Sequence, residues 1–236
     1  MHVSIYFLAK SDLLFILDKS TIEGKAIIVV LVIFSIFAWS VMASKAMQMR
    51  RAKRLNDFFD KEFRTQKRVL DIYDRRVQVT DCPLFIVYQD GGRELDARLK
   101  NTLTEGRKLH VSLKGMEHVK RALEGSVARE SLRLESGLIL LAIAVSGAPF
   151  LGLLGTVWGV MSAFGHVAEM GKADLATMAP GVAGALITTV AGLLVAIPSM
   201  FGYNWLVHTL RVLTVELDNF AQELVSKMET EYMQDE

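Results

Sequence analysis

Two apolar stretches of the chain carry the same pattern of small residues around one threonine. At about 100° per residue, positions −8, −4, 0, +3 and +7 fall on one stripe of an α-helix. With Thr156 and Thr189 as position zero, the two stripes are Ala148, Gly152, Thr156, Gly159, Ala163 and Gly181, Ala185, Thr189, Gly192, Ala196. Bulky residues such as Trp158 and Leu193 lie on the opposite faces. A hydroxyl in such a stripe can hydrogen-bond water or a partner side chain.

Two interpretations of these stripes are open, and they are compatible. Small residues let membrane helices approach closely, and Gly155 to Gly159 is itself a GxxxG motif. Alternatively, the small residues leave room for a narrow path that the hydroxyls line. Because the pattern recurs in both stretches, we favour a proton path and predict that its lining consists of Thr156, Thr189, Gly152, Gly159, Ala185 and Gly192.

Prolines interrupt both stretches. Pro149 and Pro198 each remove a backbone donor and free the carbonyl four residues earlier, at Val145 and Leu194. Freed carbonyls in lipid need partners or a polar cavity, so we predict helix kinks at both prolines. Pro180 is expected in the first turn of its helix, where proline is tolerated.

The same stretches hold no carboxylate, lysine or arginine side chain. No Asp, Glu, Lys or Arg occurs between Glu135 and Glu169 or between Asp174 and Arg211. His166 and the following histidine, at position 208, are expected near the membrane surfaces. A proton path here would therefore need a titrating group from another polypeptide, which predicts a hetero-oligomer.

Charge segregation along the chain predicts three transmembrane helices. A third charge-free stretch lies between Lys25 and Lys45, and a span takes about 20 apolar residues. The expected fold is an all-α polytopic membrane protein whose long helices extend into a cytoplasmic helical bundle. The predicted segments are an amphipathic helix on the outer side (1–24), the first span (25–45), a cytoplasmic helical segment (46–136), the second span (137–168), a short outer loop (169–178), the third span (179–207) and an acidic cytoplasmic tail (208–236).

The distribution of basic residues predicts the orientation. Residues 45–137 contain 21 basic and 14 acidic side chains, whereas residues 208–236 contain two basic and seven acidic ones. The positive-inside rule then places the N-terminus outside the membrane and the C-terminus in the cytoplasm. The acidic tail is expected to pack against the basic segment, with breaks at Asp81–Pro83 and at Asp90–Gly92. The basic run at 45–54 indicates contact with anionic membrane lipids, and no nucleic acid is expected.

No enzyme chemistry is indicated. The single cysteine, Cys82, excludes an intrachain disulfide. The histidines share no metal-ligand spacing, and no nucleophile–base pair or phosphate-binding glycine loop is present. We therefore expect no metal, no cofactor and no enzymatic activity.

Long motifs in the two stretches resemble a known family. The run PFLGLLGTVWGVM at 149–161, APGVA at 179–183 and GLLVAIP at 192–198 are similar to the TolQ/ExbB/MotA proton-channel family. The three-span topology is also similar to that of the family. Its TolQ branch is the most similar, with ExbB next, on the basis of Phe34-Ser35-Ile36, Trp39-Ser40, Lys45 and a short N-terminal segment. A MotA-type stator is disfavoured because that branch has four spans.

The resemblance implies a homopentamer whose second and third helices surround a pore. Two copies of a single-span partner (TolR or ExbD) would sit inside, each supplying a membrane aspartate. Thr156 and Thr189 match the family's two pore threonines. The assembly would drive a TolA-like or TonB-like protein using the proton motive force. One departure is Gly184, which stands where the family usually has a glutamate.

Three functions follow as expectations. The first is a Tol-Pal type motor subunit in the bacterial inner membrane, acting in envelope integrity and cell division. The second is an ExbB-type subunit, active in protein transport and in uptake through the outer membrane. The third, from another class, is a non-conducting membrane scaffold in which the stripes serve only packing.

Overall fold

The computed structural model describes residues 21–104, 110–171 and 175–233, and within these ranges the chain is helical with no strand. The described helices are α1 (Ile22–Thr65), α2 (Asp71–Asp74), α3 (Pro83–Thr104), α4 (Leu113–Glu135), α5 (Leu138–Met170) and α6 (Leu175–Tyr232). Three of them, α1, α5 and α6, are long and apolar enough to cross a membrane. The expected all-α fold with three membrane helices is confirmed. The amphipathic helix predicted for residues 1–24 lies almost wholly outside the described residues.

The chain divides into two compact units. Among the described residues, those within 21–44 and 137–205 form the membrane unit, and those within 45–136 and 206–233 form the charged bundle. Helices α1 and α6 are 44 and 58 residues long, more than twice the roughly 20 residues that one crossing needs. Each therefore continues without a break from apolar into charged sequence.

Glycines with positive φ mark both ends of α5. Gly137 has a φ of 85° and separates α4 from α5, and Gly171 has a φ of 66° at the C-terminal end of α5. Residues with a Cβ atom rarely adopt this backbone conformation, so glycine is favoured at both positions. Helix α6 then begins at Leu175, earlier than the predicted start at 179. The good helix formers Leu175, Ala176 and Met178 extend it by about one turn, so Pro180 lies inside the helix instead of in its first turn.

An aromatic cluster forms the centre of the charged bundle. The ring centroids of Phe59 and Phe85 lie 5.5 Å apart, and those of Phe63 and Phe220 lie 5.2 Å apart. Arg64 donates two hydrogen bonds to the carboxylate of Glu223, at 3.1 Å and 2.9 Å. These contacts confirm that the acidic tail packs against the basic segment, as the charges predicted.

One of the two predicted breaks in this segment is wrong. Asp81, with a φ of 65°, precedes α3, but Gly91 and Gly92 lie inside α3 and do not interrupt it. A Cβ atom on Gly91 would lie 2.6 Å from Cδ2 of Leu123, and one on Gly92 would lie 3.0 Å from the ring of Tyr73. The glycines therefore serve close packing against α4 and α2, and not chain reversal.

A side chain of α1 caps the start of α3. The Oδ1 atom of Asn56 accepts a hydrogen bond from the backbone N–H of Leu84 at 3.1 Å, which satisfies one of the free donors of a helix N-terminus. The thiol of Cys82 donates to the same oxygen. Burial raises the pKa of this thiol to about 11, so it stays protonated at neutral pH and is a poor nucleophile.

Candidate functional site

The two small-residue stripes face each other across α5 and α6. A Cβ atom on Gly152 would lie 2.8 Å from the carbonyl oxygen of Thr188 and 3.0 Å from Cα of Thr189. One on Gly192 would lie 3.1 Å from Cα of Gly152 and 2.5 Å from the carbonyl oxygen of Ala148. The two backbones are therefore in direct contact, and only glycine leaves room for it. We call this contact the seam.

The register of the seam is antiparallel. Gly192 meets Ala148 at one end, and at the other end a Cβ atom on Gly181 would lie 3.2 Å from Cβ of Ala163. Between them, a Cβ atom on Gly159 would lie 2.6 Å from Cβ of Ala185. Positions that advance along α5 thus meet positions that retreat along α6. The interpretation of the stripes as a close packing surface is supported within a single chain.

The threonines of the two stripes form a hydrogen-bonded pair in the seam. Oγ1 of Thr156 and Oγ1 of Thr189 share one hydrogen bond. Each hydroxyl also lies within hydrogen-bonding distance of the carbonyl oxygen of Gly152, at 3.2 Å for Thr156 and 3.1 Å for Thr189. The sequence pattern placed both threonines at equivalent positions, and the structure brings them together.

Burial divides the six predicted lining residues into two groups. Thr156 and Thr189 keep partial exposure. The other four are buried against the opposite helix, namely Gly152, Gly159, Ala185 and Gly192. The small residues therefore close the seam, and the two hydroxyls stand at its accessible margin.

Sequence reasoning missed Thr188 of the seam and placed Gly155 only in a GxxxG motif. Thr188 has no exposed surface, and its Oγ1 lies 2.6 Å from the carbonyl oxygen of Ala185 and 3.0 Å from that of Gly152. A Cβ atom on Gly155 would lie 2.6 Å from Cβ of Thr188, so this glycine makes room for the threonine. The signal was available in the adjacent pair Thr188-Thr189, because a second polar residue in a membrane helix needs its own partner.

The seam contains no charged side chain. Between Leu138 and Trp205, the described acidic residue is Glu169, next to the C-terminal end of α5. His166 is exposed, with Nδ1 at 3.2 Å from the carbonyl oxygen of Ser162, and His208 is exposed beyond the membrane unit. No metal-binding group of His, Cys, Asp or Glu occurs in the part of the chain that the structure describes.

The two prolines predicted to kink the helices flank one end of the seam. Pro149 follows Ala148, and Pro198 lies two residues beyond Ala196. Both are half-buried, and α5 and α6 remain helical through them. Ser199 is next to Pro198 and donates its hydroxyl to the carbonyl oxygen of Val195 at 2.7 Å.

The faces opposite the seam are apolar and exposed. On α5 they carry Phe150, Leu153, Leu154, Val157, Trp158, Met161 and Phe164, and on α6 they carry Leu186, Val190, Leu193, Leu194 and Ile197. Exposed apolar surface on this scale needs lipid or another protein to cover it.

The sequence of both seam helices matches a family model. Residues 93–219 match the model described as the MotA/TolQ/ExbB proton channel family. The chain belongs to this family. The matched range includes the whole seam, together with α4, the second half of α3 and the first part of the acidic tail.

Relatives from two branches of the MotA/TolQ/ExbB family are similar over most of the chain. The Tol-Pal system protein TolQ of Pseudomonas aeruginosa is 31% identical over 191 residues, which cover 80% of either protein. TolQ of Haemophilus influenzae is 33% identical over 215 residues, 88% of this chain and 90% of the relative. The biopolymer transport protein ExbB of Neisseria meningitidis is 29% identical over 198 residues, 84% of this chain and 88% of the relative. The identities to the two branches differ by only a few per cent.

One site in the seam helix departs from the pattern that the family resemblance led us to expect. Gly184 occupies the position of the expected glutamate and is buried in α6. This chain therefore has no carboxylate at position 184 that could take part in proton transfer. The polar groups that remain along the seam are hydroxyls and backbone carbonyls.

Proposed function

We propose that this chain is the proton-channel subunit of a motor in the bacterial inner membrane. The proton motive force drives this motor. The hydrogen-bonded pair of Thr156 and Thr189 at the margin of the seam carries this proposal. Both threonines lie in the range that matches a proton channel family. The pair is the polar feature that small, apolar surroundings leave accessible.

The pair suits proton transfer because each hydroxyl both donates and accepts. Two hydroxyls hold two protons, and one of these makes the bond between the two oxygens. The remaining proton points either to the carbonyl oxygen of Gly152 or away from the seam. The pair can therefore accept a hydrogen bond from a proton donor in one state and donate to an acceptor in the other. A hydroxyl does not titrate near neutral pH, so the group that takes up and releases protons is a carboxylate outside this chain.

A membrane aspartate of a single-span partner supplies that carboxylate in our proposal. The partner resembles TolR or ExbD, and two copies sit within a homopentamer of this chain. The exposed apolar faces of α5 and α6 support assembly, because they offer surface to neighbouring copies and to membrane lipids. A protein resembling TolA or TonB receives the mechanical work.

The charges of the chain support the proposed orientation. The basic segment after the first span stays in the cytoplasm under the positive-inside rule, so the N-terminus is periplasmic and the charged bundle is cytoplasmic. Protons then move from the periplasm, past the hydroxyl pair, to the cytoplasm. The basic run at 45–54 adjoins anionic lipid headgroups.

The Tol-Pal system is the proposed setting, with a role in envelope integrity and cell division. It is supported by the two TolQ relatives, which extend over 80% and 88% of the chain. An ExbB-type subunit, which energises uptake through the outer membrane, is the second candidate. The ExbB relative, similar over 84% of the chain, favours it.

Replacing the hydroxyl of Thr189 tests the channel against a scaffold. Thr189→Val keeps the shape of the side chain and replaces its hydroxyl by a methyl group. We expect complexes with the co-purifying single-span protein to form in normal amounts but to lose most of their proton flux in liposomes, followed with a pH-sensitive dye. Ser199→Ala is the matched control, because this hydroxyl of the same helix bonds only within its own turn. Full flux in Thr189→Val complexes would rule out a role of this hydroxyl in conduction, whereas wild-type complexes that conduct no protons would leave the scaffold as the function.

A further inference from the structure

A third hydroxyl competes for the acceptor that the threonine pair uses. The carbonyl oxygen of Gly152 lies 3.0 Å from Oγ1 of Thr188, 3.1 Å from that of Thr189 and 3.2 Å from that of Thr156. It also faces the backbone N–H of Thr156, since both residues lie within α5 at the i, i+4 spacing of an α-helix. A carbonyl oxygen has two lone pairs. The backbone N–H takes one of these lone pairs, so the three hydroxyls compete for about one remaining lone pair.

Thr188 differs from the other two competitors in having an alternative acceptor inside the protein. Its single hydroxyl proton can point to the carbonyl oxygen of Ala185 at 2.6 Å or to that of Gly152 at 3.0 Å. The side chain is completely buried, so the proton has no route to solvent. Its position is therefore confined to these two acceptors.

The acceptor to which Thr188 donates determines where the free proton of the Thr156–Thr189 pair points. When Thr188 donates to Gly152, this acceptor is occupied, and the free proton of the pair of Thr156 and Thr189 points away from the seam. When Thr188 donates to Ala185, the Gly152 oxygen is open and holds the proton of the pair inside the seam. Rotation of the buried Thr188 hydroxyl thus decides whether the pair donates a hydrogen bond to a third group outside the seam or accepts one from it.

We propose that Thr188 is a positioning residue that sets the direction of the free proton in the Thr156–Thr189 pair. The inference rests on the proposed function, because it assigns a regulator to the same path. Without the Thr188 hydroxyl, the proton of the pair stays on the Gly152 oxygen, and transfer to a partner carboxylate slows. The loss of one competing hydrogen bond changes this balance by about two- to tenfold.

Three substitutions at position 188 separate this role from packing. Thr188→Ser keeps the hydroxyl and loses a methyl group, Thr188→Val keeps the shape and loses the hydroxyl, and Thr188→Ala loses both. Proton flux per assembled complex is measured in liposomes with the co-purifying single-span protein. The control is Ser199→Ala, because Ser199 is also buried in α6 and its hydroxyl bonds only to Val195.

The two roles predict opposite orders of flux. If the hydroxyl positions the proton, Thr188→Ser conducts like the wild type, and the Val and Ala variants both conduct about two- to tenfold less. If Thr188 only fills space beside Gly155, the Val variant conducts like the wild type and the smaller Ser and Ala variants fall together. The second order overturns the proposal. Should Val prevent assembly, the comparison of Ser with Ala decides alone, since equal flux in these two would also overturn it.

Failure of this inference is distinguishable from failure of the proposed function. A loss of flux in Thr189→Val, together with wild-type flux in Thr188→Val, removes the role of Thr188 and keeps the channel. Wild-type flux in Thr189→Val removes the hydroxyl pair from the path, and the absence of proton flux in wild-type complexes removes the channel itself. A double variant adds a further check, because a residue that acts through the pair has no additional effect once the Thr189 hydroxyl is gone.

Discussion

Gly192 lies so close to Ala148 that a Cβ atom on Gly192 would stand 2.5 Å from the carbonyl oxygen of Ala148. The contact joins backbone to backbone, so no side-chain rotation can relieve it. It sits in the same seam as the hydroxyl pair of Thr156 and Thr189. The distance between these hydroxyls therefore depends on the close approach that Gly192 permits.

The first prediction concerns this close approach. Gly192→Ala is expected to destabilise the membrane unit by about 1–3 kcal/mol, because a methyl group in a filled seam forces the helices apart. The measurement is the midpoint of denaturation in detergent, followed by the fluorescence of the three tryptophans. Gly147→Ala is the matched control, since a Cβ atom there meets nothing within 4 Å. Equal midpoints for the two variants would contradict the packing role of Gly192.

A second prediction follows from the glycine that was wrongly expected to break a helix. Gly91→Ala places a methyl group 2.6 Å from Cδ2 of Leu123, which is itself 1% exposed and has little freedom to move. We expect a loss of about 1–2 kcal/mol, since overpacking outweighs the gain in helix propensity. Gly125→Ala should instead stabilise the bundle by about 0.5–1 kcal/mol, because the nearest atom there is the mobile end of Arg129. Thermal unfolding of both variants gives the comparison, and the same sign of change in both would refute it.

The sequence predicted the helical architecture well because its strongest signals are chemical and local. Charge-free stretches of membrane-spanning length have few alternatives to helices, and the stripes around Thr156 and Thr189 follow helical geometry alone. The breaks were less predictable. Gly91 and Gly92 read as a turn, but their role depends on Leu123 and a tyrosine distant in sequence, which no local pattern reveals.

The partners of the hydroxyls were also beyond local reasoning. Thr188 lies outside the five-position stripe, and its role depends on the carbonyl oxygen of Gly152 in the opposite helix. Helical spacing gives the face on which a residue lies but not the register between two helices. That register follows from the glycine contacts at Gly152 and Gly192, which require both helices to be placed together.

A third prediction concerns pH. Glu130 is 7% exposed, and burial raises the pKa of its carboxyl group, an effect that the nearby Arg133 opposes. A raised pKa in the folded state means that ionisation of this group destabilises the fold, a cost that is present above the raised pKa and disappears as the pH falls through it. Glu130→Gln removes the cost. We therefore expect the variant to melt at a higher temperature than the wild type at pH 7 to 8.

The acid side of the same experiment supplies the control for Glu130. Once the wild-type carboxyl group is protonated, the two proteins carry the same charge at this position, and their melting temperatures should converge. Other carboxylates titrate in both proteins, so their contributions cancel in the difference. A difference that is independent of pH would show that ionisation of Glu130 is not its cause. A variant less stable than the wild type at pH 7 would show that the bond to Arg133 outweighs the cost of burial.

The last prediction concerns the hydroxyl of Tyr88 at the centre of the charged bundle. This hydroxyl donates to the carbonyl oxygen of Val69 at 2.7 Å and accepts from the backbone N–H of Tyr73 at 3.0 Å. Burial raises its pKa to about 12, so it remains a neutral donor at physiological pH. Tyr88→Phe leaves both backbone groups without this partner, and such a loss costs about 1–3 kcal/mol. Thermal unfolding measures the cost, with Tyr73→Phe, which removes a nearby hydroxyl, as the control. Thermal unfolding therefore reports the stability role of Tyr88, and proton flux provides a second, independent measurement.

Because Tyr88 belongs to the charged bundle and the threonine pair belongs to the membrane unit, we expect proton flux per assembled complex of Tyr88→Phe to stay at the wild-type level. A normal melting temperature with reduced flux would reverse this assignment and place Tyr88 in the path instead of in the core.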